Sequence, residues 1–233
     1  MNNRRVRNLV IGINVLVWGL LVPVTFFWTM CRVEVPKEHF AVLVKRTGQP
    51  LSNDAEVSPS AAQQGLQQEV LTEGRYFLNP YSWDWKVYPM IQVPIDKMGV
   101  RIRLHGEDLP YSQFLAKGES DKGIILETLK PGRYAINAMV TDGASGQEVG
   151  ATRSTRKDYV EIIQLWEPKV IPAGYIGVVT NLAGEFSETP NAFTVSQGNR
   201  GTQKETLPPG TYYRNPYIER INALDMRLSL IHI

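Results

Sequence analysis

The stretch VPKEHFAVLVKRTG at residues 35–48 decides the fold, because close counterparts of it occur twice more in the chain. The second is VPIDKMGVRIRLHG at 93–106, and the third is IPAGYIGVVTNLAG at 171–184. In each, valine follows the proline by six residues and glycine follows it by twelve. Three ungapped copies of one pattern predict tandem modules of one kind rather than three unrelated segments.

Each copy continues into a second segment in which leucine, glycine, tyrosine and asparagine recur at fixed spacing. It is LTEGRYFLN at 71–79, LKPGRYAIN at 129–137 and LPPGTYYRN at 207–215. The first segment is β-rich, so it predicts a strand with the proline at its start. The second predicts a turn entering another strand, with a positive φ at its glycine. The body is therefore predicted to be mainly β, in three β-rich repeats.

The prolines place the repeats at 33–92, 93–169 and 170–227. Copies one and two begin 58 residues apart, whereas copies two and three begin 78 residues apart. The additional residues fall near 140–159, a polar, Gly/Ser-rich stretch that predicts a solvent loop. Its basic residues Arg153, Arg156 and Lys157 are expected at a solvated tip, with anionic lipid or a cell-wall polymer as alternative contacts. The polar gap of the first copy has room for a short helix at 61–68.

The N-terminal region, 1–32, is predicted to be a short tail and a transmembrane helix. Residues 9–30 carry no charged side chain, and a helix of that length spans about 33 Å, against about 30 Å of hydrocarbon. Phe26, Phe27 and Trp28 would form an aromatic belt at its far end. Since the tail has arginine at positions 4, 5 and 7, we expect a cytoplasmic N-terminus and a periplasmic or extracellular bulk.

A cleaved signal peptide is the alternative to a permanent anchor. Its apolar part would be about 7–15 residues long and would end in small residues. Here the apolar run is longer and ends in the bulky sequence Phe-Phe-Trp-Thr-Met-Cys. Met30 also argues against a lipoprotein site at Cys31, which we interpret as an incidental or acylated thiol at the membrane edge. We therefore expect the helix to remain in the mature protein.

Composition excludes several functions. The 25 Lys and Arg residues nearly balance 23 Asp and Glu, for a net charge of +2, which is too even for a nucleic-acid-binding surface. One cysteine and three distant histidines (His39, His105 and His232) offer no metal-binding spacing. Neither a nucleophile elbow nor a phosphate loop occurs. We therefore predict no enzymatic activity, no cofactor and no catalytic or metal-binding residues.

Aromatic residues are the remaining candidates for a site. The repeated tyrosines Tyr76, Tyr134 and Tyr212 are interpreted as packing residues at one equivalent position. A second set, interpreted as alternating along one face of a strand, favours core or inter-repeat packing over a sugar or partner surface; it comprises Tyr81, Trp83, Trp85 and Tyr88. Trp166 is expected to pack where the second copy meets the third.

The third copy resembles the opening of an SPFH domain (stomatin/prohibitin/flotillin, or band 7). That family begins with a Pro-x-Gly-x-x-Gly-Val-Val strand, continues with Leu-x-Pro-Gly and a later proline, and ends a strand near Asp-x-Arg. The matching residues here are Pro172, Gly174, Gly177, Val178, Val179, Leu207, Pro209, Gly210, Asn215, Pro216, Asp225 and Arg227. A single N-terminal span ahead of the domain is also similar to the family. Tandem β copies before such a domain are similar, more weakly, to the architecture of major vault proteins.

The resemblance implies that the third repeat starts an α/β SPFH domain. It also implies a membrane-anchored scaffold that forms homo-oligomers in the lipid bilayer and organises membrane proteins such as membrane proteases. The alternative function is an exported, membrane-tethered β-repeat module that recognises an extracellular polymer or protein through Trp83 and Trp85. Because the chain stops where the family's α/β body would begin, we expect a longer natural protein in which residues 228–233 are not native.

Overall fold

A computed structural model describes residues 3–51, 57–58, 60–110, 115–116, 121–149, 158–186 and 192–227. The fold is mainly β, with one N-terminal helix, and the chain divides into two compact units, Met1–Met90 and Ile91–Ile233. The first contains helix α1 (Asn3–Met30) and strands β1 (Arg32–Val35), β2 (His39–Lys45), β3 (Val57–Ser58), β4 (Gly65–Leu71), β5 (Gly74–Phe77) and β6 (Trp83–Pro89). The second contains β7 (Ile91–Val93), β8 (Met98–Arg103), β9 (Leu115–Ala116), β10 (Gly123–Leu129), β11 (Gly132–Tyr134), β12 (Ala138–Asp142), β13 (Glu161–Trp166), β14 (Lys169–Ile171), β15 (Tyr175–Asn181), β16 (Gly201–Leu207), β17 (Gly210–Tyr212) and β18 (Glu219–Asp225).

Helix α1 is long and apolar enough to cross a membrane. The candidate span Val6–Met30 has 25 residues with a mean hydropathy of 2.2 in its most apolar window, and its side chains are exposed. Its polar side chains bond to the helix's own backbone: the Asn14 amide donates to the carbonyl of Val10 at 2.9 Å, and the Thr25 hydroxyl to that of Leu21 at 2.8 Å. Such internal pairing is what hydrocarbon demands of polar groups.

The same strand pairing occurs three times along the chain. A central strand lies between two antiparallel neighbours: β2 between β4 and β6, β8 between β10 and β13, and β15 between β16 and β18. A separate two-stranded ribbon accompanies each sheet, formed by β1–β5, β7–β11 and β14–β17. Their registers are equivalent, because Val35, Val93 and Ile171 pair with Gly74, Gly132 and Gly210 respectively.

Each set of strands has its own small core. In the first, the buried residues Val33, Val35 and Ala41 pack together with Tyr76 and Trp85 around them. The second core is built on Ile91, Val93, Ala138, Ile163 and Leu165, and the third on Ile171, Val179 and Ile221. Ribbon residues contribute to every core, so each ribbon is held by apolar burial against its own sheet.

The repeated prolines lie in turns, not at strand starts as the sequence predicted. Each directly follows the first strand of a ribbon, and the central strand begins three or four residues later. The proline carbonyl accepts the amide three residues on, at 3.3 Å for Pro36, 3.2 Å for Pro94 and 3.1 Å for Pro172. The third turn residue has positive φ in copies one and three, +63° at Glu38 and +85° at Gly174. A proline opening a turn provides its carbonyl, and its missing N–H costs nothing there.

The ribbons also shift the repeat boundaries. Strand β7 crosses the predicted boundary between residues 92 and 93, and β14 crosses the one between 169 and 170. Each pairs with a later strand of the following copy. The boundary between the two compact units accordingly falls at Met90/Ile91, before the first ribbon strand of copy two.

The gaps between the two conserved segments contain a strand that sequence analysis missed. A short helix at 61–68 is wrong, because β4 begins at Gly65 and continues to Leu71. The equivalent strands in the other copies, GIILETL and GTQKETL, share its glycine, glutamate and leucine positions. The first glycines of the three strands have φ of +109°, +134° and +130°. Three aligned glycines were therefore an available signal for a turn entering a strand.

The predicted solvent loop at 140–159 is also partly wrong. Its first residues belong to β12, which pairs in parallel with β13 along Ala138–Asp142. Ala138 and Thr141 are buried there, because AMVTD carries enough apolar and β-branched residues to cover the open edge of β13. Arg153, Arg156 and Lys157 lie outside the described residues, as do 228–233.

The glycines predicted to have positive φ behave unequally. Gly74 and Gly132 have the predicted positive φ, +150° and +159°, while Gly210 does not. All three open a strand, and a Cβ at any of them would lie 3.5–3.6 Å from the ring of the tyrosine two residues later. What the three glycines share is therefore contact with the tyrosine ring two residues later. A positive φ is found at only two of them.

Candidate functional site

Helix α1 passes into the first ribbon with one residue between them. Cys31 is buried, its N–H donates to the carbonyl of Phe27 at 3.2 Å, and its carbonyl accepts the Leu78 N–H at 2.8 Å. The Phe77 ring stacks on Phe27 with centroids 5.4 Å apart and lies 5.9 Å from Trp28. The junction is therefore a packed, hydrogen-bonded joint.

Charged groups surround this joint. The Arg32 guanidinium lies 5.4 Å above the Trp28 ring and pairs with Glu34, which also binds Arg75 at 2.9 Å. The hydrogen bond from Arg32, together with the nearby Arg75 charge, holds the pKa of the exposed Glu34 carboxyl below its usual value. Charged and aromatic side chains thus lie together at the end of the candidate span.

The second and third copies meet through a polar and aromatic contact. The Thr128 hydroxyl donates to the carbonyl of Tyr213 at 3.0 Å, and the Asn215 amide donates to the carbonyl of Ile125 at 3.1 Å. The Tyr217 hydroxyl donates to Gln164 Oε1 at 2.7 Å. Its ring also packs edge-on against Trp166, with centroids 5.8 Å apart. Trp166 thus lies between copies two and three, where the sequence placed it.

The residues of the third copy in this contact have counterparts in the first. Phe77, Asn79 and Tyr81 follow Pro36 at the same distances as Tyr213, Asn215 and Tyr217 follow Pro172. Both asparagines accept the N–H of that tyrosine at 3.0 Å, and both of their carbonyls accept two amides at the start of the next strand. Asn215 is buried, whereas Asn79, Phe77 and Tyr81 are exposed. Sequence analysis missed this contact, although a tyrosine recurring two residues after the asparagine was a signal for it.

A buried ion cluster fixes the sheet of the second copy. Glu161 Oε1 and Oε2 accept two hydrogen bonds from Arg101, each 2.8 Å long, and Arg103 Nε lies 3.6 Å away. The Glu161 side chain is 8% exposed. Because two strands contribute the charges, the cluster fixes the register of β8 against β13.

Three of the residues that carry the resemblance in the third copy meet at one end of its sheet: Gly174, Asp225 and Arg227. Arg227 binds both carboxylate oxygens of Asp225 and donates to the Tyr175 hydroxyl at 2.9 Å, with its guanidinium 5.2 Å from that ring. Hydrogen bonds from Arg227 hold the pKa of the Asp225 carboxyl well below its usual range. The Met226 N–H donates to the carbonyl of Gly174 at 2.9 Å, so the Pro-x-Gly turn and the Asp-x-Arg segment lie side by side.

The proposed aromatic surface of the first copy does not lie on one face. Trp83 and Trp85 share a face of β6, but Tyr88 has the opposite parity and packs on Phe40, with centroids 6.1 Å apart. Tyr81 precedes the strand. Trp85 packs against the first core, and Trp83 lies 5.3 Å from the Lys45 ammonium. Interpreting all four as one strand face was wrong, because three of them are odd-numbered and Tyr88 is not.

The repeated tyrosines pack as expected. Tyr134 and Tyr212 donate their hydroxyls to the carbonyls of Lys130 and Pro208, at 2.9 and 2.7 Å. The Tyr76 hydroxyl lies 3.4 Å from that of Thr72. Each ring thus closes the turn that holds its glycine.

The titratable residues of the described ranges do not assemble a metal site. Within those ranges no group of three or more His, Cys, Asp or Glu side chains could hold a metal ion. His39 lies on β2, with its Nδ1 2.8 Å from the Lys37 carbonyl oxygen, and His105 follows β8. His232 lies outside the described residues.

Comparison with known proteins gives no family assignment. No protein-family model matches the chain, and no curated protein matches it significantly.

Proposed function

We propose that this chain is a membrane-anchored scaffold of the SPFH/band 7 type, built on three tandem β repeats. The N-terminal helix anchors the repeats, which lie outside the cytoplasm, and the third repeat begins an SPFH domain. The protein forms homo-oligomers and organises or regulates other membrane proteins, with membrane proteases among them. No catalytic chemistry is part of this function.

The observation that carries the proposal is the direct joint between an apolar span and repeated β modules. A flexible tether would let the first repeat diffuse away from the bilayer, whereas Cys31, whose N–H and carbonyl are both hydrogen-bonded, holds that repeat at the end of the span. The pairing of Asp225–Arg227 with the Pro172–Gly174 turn supports the family likeness, since residues of its two motif ends meet in space. The contact between copies two and three supports a stacked array of repeats.

Crosslinking in native membranes tests the proposal. The chain expressed from its natural gene should give homo-oligomeric ladders, and affinity capture in mild detergent should recover membrane proteins at reproducible stoichiometry. The matched control is a variant with Asn215→Ala and Tyr217→Phe, in which the contact between the second and third copies is weakened. A strictly monomeric protein that captures no membrane protein would contradict the scaffold.

A further inference from the structure

The first copy exposes a face whose counterpart in the third copy contacts the preceding copy. We call Phe77, Asn79 and Tyr81 the helix-proximal face. Phe77 is 46% exposed and Tyr81 is 75% exposed, although their counterparts Tyr213 and Tyr217 contact the preceding copy. The element directly before the first copy in the sequence is α1.

We propose that the headgroup layer of the bilayer covers the helix-proximal face. It takes the place that copy two occupies against the equivalent residues of copy three. Phe77 and Tyr81 enter the interface beside Trp28, and Arg32 and Arg75 face lipid phosphates. The inference rests on the proposed function in one respect, which is that α1 spans a bilayer.

The depth of the face follows from the joint. Phe77 stacks on Phe27 in the last turn of α1, so the two rings lie at the same level along the helix. A span that ends at Met30 places that turn where the hydrocarbon meets the headgroups. Aromatic rings with one polar end favour this region. The joint therefore brings Phe77 to the interface when α1 is inserted.

Charge selects the lipid. Arg32, Arg75 and Arg46 lie in the same unit as the face, and the acidic residues paired with them are Glu34 and Asp84. Arg75 and Arg46 keep more than half of their side chains exposed. The basic residues thus remain accessible to phosphate oxygens while paired, which favours an anionic bilayer surface over a neutral one.

Depth-dependent fluorescence quenching tests the inference on the full chain. In a Cys31→Ser background, single cysteines replace Phe77 or Leu16, both exposed, and carry an environment-sensitive dye. The protein is reconstituted in vesicles of phosphatidylcholine with phosphatidylglycerol. Spin labels sit either on lipid headgroups or deep in the acyl chains. Circular dichroism of each variant confirms that the β content is retained.

Position 77 should be quenched several-fold more by the headgroup label than by the deep label, and position 16 should be quenched mainly by the deep label. Replacing phosphatidylglycerol with phosphatidylcholine should weaken quenching at position 77, and Arg75→Gln should do the same.

Quenching of position 16 by the deep label, with position 77 quenched by neither label, would overturn the inference. It would leave the span intact and assign the face to a second copy or another protein. Position 16 unquenched by the deep label would overturn both the inference and the anchored function.

Discussion

At the scale of single residues, the glycine twelve positions after each proline is the most constrained. Gly48 has φ of +136°, and a Cβ there would lie 2.5 Å from the carbonyl oxygen of Ala62. Gly184 has φ of +134°, and its Cβ would collide with the carbonyl of Gly198. A backbone carbonyl held in a bridge between two loops cannot move aside as a side chain can.

Gly48→Ala should therefore destabilise the first unit more than Gly74→Ala. Both positions have positive φ, but a Cβ at Gly74 meets the Tyr76 ring at an ordinary 3.5 Å. We expect the Gly48 variant to lose about 1–3 kcal/mol more in free energy of unfolding, the usual cost of overpacking. Chemical denaturation in detergent measures the difference, and equal losses would show that the collision is relieved.

Glu161 should be the most sensitive charged residue among those described in the second copy. Glu161→Gln removes the carboxylate that accepts two hydrogen bonds from Arg101 and lies 3.6 Å from Arg103 Nε, so we expect a loss of roughly 2–4 kcal/mol, reduced because Arg101 is partly solvated. Glu34, which also binds two arginines, is exposed; Glu34→Gln is the control and should cost much less. Similar midpoints for the two variants in urea would contradict this prediction.

Asp225 should titrate at an unusually low pH. Because its folded pKa is depressed by Arg227, its contribution to stability is present above the unfolded pKa and is lost as pH falls toward the folded value. Arg227→Gln should raise the pKa of Asp225 toward normal, while Arg214→Gln, whose partner is Glu219, should leave it unchanged. NMR titration of the carboxyl carbon measures both, and an unaltered Asp225 in the Arg227 variant would disprove the cause.

At the scale of elements, the charge at the start of α1 should set its orientation. Arg4, Arg5 and Arg7 lie within one turn or two of the span, and dense basic residues stay on the cytoplasmic side. Alkaline phosphatase fused after Met90 should be active, and a reporter that works only in the cytoplasm should be inactive there. Replacing the three arginines with glutamine should weaken the preference; a cytoplasmic reporter active in the natural sequence would reverse the topology.

At the scale of the molecule, the contact between the second and third copies should make them unfold together. Asn215→Ala removes the buried amide that donates to the carbonyl of Ile125, so we expect a loss of about 1–3 kcal/mol. Hydrogen exchange should then rise in β10 as well as in β17 and β18. Asn79→Ala, the exposed counterpart, is the control. Faster exchange confined to the third copy would mean that the copies open separately.

The sequence alone predicted the features that depend on periodicity and chain-local chemistry. A single uncharged segment satisfies its backbone hydrogen bonds in a bilayer as an α-helix, so the sequence predicted the N-terminal helix. The mainly β body followed from β-rich segments that alternate with turn signals. The repeated tyrosines were assigned to packing because they recur at one equivalent position in all three copies.

Only the tertiary structure decided what depends on distant pairing. The ribbons join residues about forty positions apart, so Pro36 was assigned to a strand that begins three residues later. Strand β12 exists because the edge of β13, more than twenty residues along the chain, is there to accept it. Asn215 is buried and Asn79 is exposed, although the sequence Asn-Pro-Tyr is the same at both positions. What lies against each asparagine differs, and that neighbour is determined by the order of the modules along the chain.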